Sequence, residues 1–286
     1  MEMVSFLLGL CPSIITGIIA YYLQRGQKRR DEQAEEHAEA RKKESLLALD
    51  LNMANAKLSY ACAMAIKRGK PNGEVEEAVE AYEEAKAGID GTLEKMGLDY
   101  LDMMIIHSPQ PWVKVNQSDD RYVEGNRAAW RALEEAYKEG KLKAIGISNF
   151  QIGDIESLME TAEIKPMVNQ ILLHISNTPI ELVDYCQKND ILVEAYSPIA
   201  HGEILNQPEI KAMADKYGVT VPQLCIRYTL QLGAISLPKT GNPEHMKSNA
   251  QLDFQISAED MELLKNFKKI KSYGDSGNFP VYGGKM

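Results

Sequence analysis

The feature that most constrains this chain is a repeat. Between residues 100 and 251, short apolar runs closed by polar residues alternate with stretches of helix-like sequence. The runs are "YLDMMIIH" (100–107), "AIGISNF" (144–150), "PMVNQILLH" (166–174), "ILVEAYSP" (191–198) and "AISLPKT" (234–240). The intervening segments are "NRAAWRALEEAYKEGK" (126–141), a stretch after Phe150, then 179–188, 207–217 with 221–232, and 243–251. Strand-length runs alternating with helices predict βα units, a parallel sheet and right-handed crossovers.

Polar residues gather at the C-terminal ends of the runs: His107, Ser148 and Asn149, Gln170, Tyr196 and Ser197, Lys239 and Thr240. Inside a strand such groups would be costly to bury. At the C-terminal ends of the strands in an α/β barrel they face the side where ligands bind.

Composition narrows the function classes. Hydrophobic residues at 44% supply a core, and a net charge of −9 argues against a phosphate-backbone ligand, so no nucleic-acid partner is expected. Cys11, Cys62, Cys186 and Cys225 show no CxxC spacing and read as buried free thiols of a reducing compartment. His37, His107, His174, His201 and His245 form no ligand pattern, so no metal site is expected.

The first part of the chain differs in kind. Val4 to Leu23 is an uncharged run, long enough to cross about 30 Å of hydrocarbon as a helix. Arg25, Lys28, Arg29 and Arg30 follow it, which by the positive-inside rule places the rest in the cytoplasm. A cleaved signal peptide is the rival, but it predicts positive charge before the run, where Glu2 stands. The expectation is a single-pass membrane protein: an anchor at 1–24, a charged helical segment at 25–88, and an α/β unit at 89–286. Within the charged segment the apolar face sharpens at 46–66, "GKPNGE" (69–74) makes a turn, and a second helix runs from Glu74 to about Lys86. This part loosely resembles small membrane-anchored prophage proteins, and that likeness implies no chemistry.

From about Ile89 to Ile270 the strings "LDYLDMMIIHSPQPW", "GKLKAIGISNF", "VNQ", "EAYSPIA" and "LPKTGNPEHMKSN" resemble, in order and spacing, the aldo-keto reductase superfamily. The resemblance implies a (β/α)8 barrel that reduces aldehydes or ketones with NADPH, or NADH. By the same resemblance His107 orients the substrate carbonyl. Ser148, Asn149 and Gln170 hold the nicotinamide carboxamide, and Tyr196 stacks on the ring. Ser197 and Ile199 pass the pyrophosphate, Lys239 and Thr240 face the 2′-phosphate, and Asn249 touches the adenine. His245 stands where the family often has an arginine, a stronger partner for phosphate than neutral imidazole. Each residue also has a plainer reading: His107 as a loop histidine, Ser148–Asn149 as a helix cap, Tyr196 as core, Lys239–Thr240 as a solvated turn.

The departures matter as much. The family's acid–base set adds a tyrosine, a lysine and an aspartate on earlier strands, with a "D-T-A-x-x-Y" string that this chain lacks. Asp50, Tyr60 and Lys67 come in the right order but with the wrong spacing, on a predicted helix. Tyr82 and Lys86 read as an i,i+4 pair on a helix surface. The expectation is therefore an incomplete barrel of about five βα units, with its reductase activity impaired. Its edge strands and an apolar face would lie open to helix 46–66, to a second copy or to another partner. Two readings stand beside it: a non-catalytic membrane-anchored interaction protein, and a fusion of unrelated genes joined between about Glu83 and Gly91.

Overall fold

Strands β1 (Met104–Ile106), β2 (Ile145–Ser148), β3 (Val168–Leu172), β4 (Leu192–Tyr196) and β5 (Ile235–Leu237) lie side by side in chain order in one parallel sheet. The computed structural model describes residues 73–111, 115, 119–270 and 272–282, which all belong to the compact unit Met53–Met286. Each strand is shorter than its apolar run, and Ser148, Gln170 and Tyr196 lie within the paired residues. Among the described residues no strand pairs with the outer edge of β1 or β5, so the expected parallel α/β sheet is found as five strands with two edges.

Alternation along a strand sorts the side chains into two faces. Met104, Ile106, Ile145, Ile147, Ile171, Val193 and Ala195 are buried on one of them, where helices α2 (Val123–Lys138), α4 (Ile180–Lys188) and α6 (Val221–Gln231) pack on the sheet. The register Ile105–Gly146–Val168 and Ser148–Gln170–Glu194–Ile235 runs across the opposite face. Here Gly146 is required: a Cβ would come within 2.9 Å of the Val168 carbonyl oxygen and 3.1 Å of Ile105. Leu192, Ile235 and Leu237 on this face are exposed, so the sheet carries apolar side chains on a side that the described residues leave uncovered near β5.

Helix α1 (Gly73–Met96) runs further than the segment expected to end near Lys86. Ala81, Ala85, Ile89 and Leu93 recur every fourth residue and are all buried, giving one continuous stripe that packs on α2. The expected division at 88/89 thus falls inside a helix. Trp130 of α2 is buried and donates from its indole N–H to the Ile164 carbonyl at 2.9 Å. Glu134, also buried, accepts the backbone N–H groups of Glu163 and Ile164 at 2.8 Å each, which fixes the turn into β3.

The remaining elements are α3 (Ile152–Met159), a 3-10 segment (Ala200–Asn206), α5 (Pro208–Lys216), α7 (Pro243–Asn249), α8 (Ala258–Lys265) and 3-10 turns at Gly274–Asn278 and Pro280–Tyr282. Helix α6 starts from Thr220, whose hydroxyl accepts from the Gln223 backbone N–H while the Gln223 side chain returns to the Thr220 N–H, a reciprocal cap. Helix α8 begins at Ser257, whose hydroxyl accepts from the Asp260 backbone N–H while its own N–H donates to the Tyr217 hydroxyl. Cys186 and Cys225 are buried free thiols, and burial pushes Cys225 up to about 12.

The expectation of a single-pass membrane protein is corrected. Among the described residues no helix is long and apolar enough to cross a membrane; α1, though 24 residues long, carries Glu or Lys at nearly every turn. The expected anchor at Val4–Leu23, helix 46–66, Asp50, Tyr60, Lys67, Cys11 and Cys62 lie outside the described residues.

Candidate active site

The residues expected at the strand ends converge. Ser148 closes β2 and donates its hydroxyl to the Gln170 carbonyl on β3 at 2.9 Å. Asn149 follows with φ of 60°, a left-handed conformation that short polar side chains tolerate best. That turn aims its amide along the sheet end: Nδ2 donates to the His107 carbonyl at 3.1 Å and to the Ser148 hydroxyl at 3.0 Å. Its Oδ1 accepts from the Tyr196 hydroxyl at 2.7 Å. His107, Ser148, Asn149, Gln170 and Tyr196 therefore form one linked group across the ends of β1 to β4.

Electrostatics follow from burial. The His107 imidazole is pushed below its ordinary range by desolvation, so at neutral pH it is the uncharged ring, with one N–H to donate. Tyr196 is pushed well above the ordinary phenol range, mainly by burial and then by Tyr282 and Tyr273 nearby. It stays a neutral donor to Asn149. Ser148 and Asn149 do not cap α3: the cap is Gln151, whose N–H is accepted by the Asp154 carboxylate at 2.8 Å.

Asp154 also anchors the loop after β1. Arg121 donates from Nε to Asp154 Oδ1 at 2.7 Å and pairs with its other oxygen through Nη2, while Nη1 reaches Gln110 Oε1 at 3.0 Å. The Asn126 side chain donates to the Pro109 carbonyl at 2.9 Å. The segment leaving His107 is thereby tied to α2 and α3.

The adenosine-end candidates stand apart from this group. Lys239 and His245 are exposed, Thr240 and Asn249 half-exposed. The Thr240 hydroxyl accepts from the Asn242 backbone N–H at 3.1 Å, and Asn242 caps α7. Gln223 of α6 donates to the Ser248 and Gln251 carbonyls at 3.0 Å each, which sets the end of α7 where Asn249 lies.

The tail supplies contacts that sequence reasoning did not assign. Ser197 and His201 both hydrogen-bond the Tyr282 hydroxyl, at 2.8 and 2.5 Å, and Ser276 reaches the other His201 nitrogen at 3.1 Å. Ser197, Ala200 and His201 all have positive φ, so the loop carrying Ser197 and half-exposed Ile199 is held in a conformation that L residues rarely adopt. Tyr273 stacks on Tyr282 with centroids 4.7 Å apart and bonds buried His174 at 3.1 Å. Tail aromatics reaching a strand-end loop leave no local pattern to read in a sequence.

Glu194 was also missed. It lies on the face of β4 shared with Tyr196, is buried, and accepts from Gln170 Nε2 at 2.8 Å. A signal existed, since alternation from Tyr196 places a carboxylate two residues earlier on the same face. Tyr82 and Lys86, by contrast, turn their polar ends to Glu135 of α2 at 2.5 and 3.4 Å, so they are more than a solvated pair.

The Aldo/keto reductase family profile matches residues 65–269, most of the chain. The chain belongs to the aldo/keto reductase family. An uncharacterized oxidoreductase, YtbE, of Bacillus subtilis (strain 168) is 42% identical over 201 residues, covering 69% of this chain and 67% of that protein. A glyoxal reductase of the same organism is 39% identical over 196 residues, 68% of this chain and 67% of its own length. Among solved structures, a Bombyx mori aldo-keto reductase in complex with NADP matches with a TM-score of 0.57 and 31% identity, over 70% of this chain and 69% of that one. An aldo-keto reductase complexed with NADPH matches with a TM-score of 0.58 and 32% identity, over 66% of this chain and 60% of that one. The chain thus spans about two thirds of the length of the curated relatives it matches.

Proposed function

We propose that this aldo/keto reductase binds a nicotinamide dinucleotide, NADPH or NADH, at the ends of β2 to β4 and turns over small carbonyl substrates slowly. The observation that carries the reading is the linked group itself. A primary carboxamide needs acceptors for its N–H bonds and a donor for its carbonyl. Gln170 Oε1 and Asn149 Oδ1 supply the acceptors beside the Tyr196 ring, and the Ser148 hydroxyl supplies the donor by turning away from the Gln170 carbonyl to which it donates in the unbound chain. The cofactor complexes of the Bombyx mori enzyme and of the NADPH-bound relative support the ligand class, and exposed Lys239 offers a cation for a phosphate, with Thr240, His245 and Asn249 nearby on the chain.

When bound, the cofactor supplies a hydride from nicotinamide C4 to the carbonyl carbon. The chain's own part is positioning. Ser148, Asn149 and Gln170 hold the carboxamide, so that one ring face is offered, and Tyr196 backs the other face. Ser197 and Ile199 line the loop toward the pyrophosphate. His107, as a neutral imidazole, donates to the substrate oxygen as charge develops there.

Slow turnover is expected because the sequence lacks the "D-T-A-x-x-Y" string that carries the family's aspartate and tyrosine. Tyr82 and Lys86 are engaged with Glu135 on the helix layer, and a positioned acid contributes about 10²–10⁴-fold. The test is a pair of measurements on the full chain: NADPH binding by fluorescence, and NADPH oxidation with glyoxal as a small dicarbonyl. Binding with turnover at least about 10²-fold below that of an intact family member is the expected result. Absence of binding sinks the whole reading; ordinary turnover sinks the impairment.

A further inference from the structure

We propose that Glu194 is a positioning residue that fixes which end of the Gln170 amide faces the nicotinamide carboxamide. The inference rests on the reading of the strand-end group as a nicotinamide site, and adds to it a residue that touches neither cofactor nor substrate. Gln170 and Glu194 are directly opposed in the β3–β4 register, with Gln170 Nε2 2.8 Å from Glu194 Oε2. A carboxylate oxygen only accepts, so the amide must present its NH2 end to Glu194. Oε1 is left at the other end of the amide, without a hydrogen-bond partner among the described residues. The nicotinamide carboxamide meets an acceptor for its N–H rather than a second donor.

The alternative is that Glu194 is only a fold residue. Packing argues against that. Glu194 is 7% exposed, among the described residues it takes part in no ion pair, and Gln170 is the side chain bonded to it. A buried carboxylate without a cation costs free energy that an apolar side chain at the same place would not. What the carboxylate adds is a fixed direction for its neighbour. Gln170 lacks any other described constraint on its side chain. Without Glu194 both amide orientations are open to it, and half of them oppose donor to donor.

The experiment compares two ligands on the full chain. NADPH carries the carboxamide, whereas adenosine 2′,5′-bisphosphate carries the other end of the cofactor alone. In Glu194→Met the NADPH dissociation constant is expected to rise about tenfold, the loss of one well-made hydrogen bond, while that for the bisphosphate stays unchanged. Glu194→Gln, which still offers an acceptor, is expected to recover most of the loss. In a Gln170→Met background, Glu194→Met is expected to add less than about twofold, since coupled residues fail to add. Should Glu194→Met not fold, Glu194→Asp keeps the charge but withdraws it by a methylene, and carries the same expectation. Equal weakening of both ligands, or an unchanged NADPH constant in a folded variant, overturns the proposal. Failure of the unaltered chain to bind NADPH while it binds the bisphosphate overturns the nicotinamide reading itself and takes the proposal with it.

Discussion

The hydroxyl of Tyr196 donates to Oδ1 of Asn149 across 2.7 Å, joining the end of β4 to the end of β2 over the intervening β3. The bond uses the one end of the Asn149 amide that can accept, while Nδ2 donates to the His107 carbonyl and the Ser148 hydroxyl. Phe at 196 keeps the ring and removes the donor. Tyr196→Phe is expected to lower stability by about 1 kcal/mol in urea unfolding and to leave the proposed stacking face of the ring intact. An unchanged unfolding midpoint would show that the bond does not tie these strands.

Burial holds the His174 imidazole down to about 4, against an ordinary 6.5, with His201 a lesser cause. The Ser176 backbone N–H, which can only donate, faces Nδ1 at 3.3 Å, so the neutral ring carries its proton on Nε2, toward the Tyr273 hydroxyl. Because the unfolded chain binds a proton more readily than the folded one, this stability is full above the unfolded value near 6.5. It falls as pH drops from there toward 4, by up to about 3 kcal/mol. Unfolding free energies measured between pH 7.5 and 4 are expected to show that slope, and His174→Gln to flatten it.

Arg121 and Asp154 form a partly buried pair, the carboxylate being nearly enclosed. Removing the arginine strands that carboxylate. Arg121→Met is expected to cost about 2 kcal/mol, less than for a fully buried pair because the guanidinium is part-exposed. Asp154→Asn in the same background should recover part of the loss, and a double-mutant cycle with no coupling would contradict the pairing.

Gly146→Ala puts a methyl group against the Val168 carbonyl and Ile105, at 2.9 and 3.1 Å. Neither backbone nor a strand-borne isoleucine yields easily, so a loss of about 1–3 kcal/mol is expected from overpacking. Wild-type stability in the alanine variant would mean that β2 and β3 can separate at this point.

Tyr282→Phe removes the hydroxyl that Ser197 and His201 share. The loop it holds has three non-glycine residues at positive φ, so release is expected to raise amide hydrogen exchange at 197–202 about fivefold. Exchange unchanged there would place the restraint elsewhere.

Periodicity made the α/β character legible. The apolar runs at 100–107, 144–150, 166–174, 191–198 and 234–240 each contain a strand, and the helices between them fall where the spacing put them. Ends were less legible. Helix α1 continues through Gly88 and Gly91 because its buried stripe, not local propensity, decides where it stops. Helix α8, at Ala258–Lys265, was not anticipated, although Ser257 before "AED" is a cap signal. His107, Ser148, Asn149, Gln170 and Tyr196 were found because strand ends concentrate polarity. Glu194 was given no role although alternation from Tyr196 places it on the same face, and Tyr273 and Tyr282 were given none because long-range contacts leave no periodic trace. The membrane expectation rested on a run outside the described residues, and it fails for those that are described.

Spatial order equals chain order in this sheet, and that has a temporal meaning. Each strand, as it leaves the ribosome, finds its neighbour already made, so assembly advances from one edge without waiting for distant sequence. The linked group of His107, Ser148, Asn149, Gln170 and Tyr196 is complete once Tyr196 has emerged, while Lys239, Thr240 and Asn249 are still to be synthesised. A nascent chain halted after β4 would hold the inner half of the proposed pocket before any of its outer half exists.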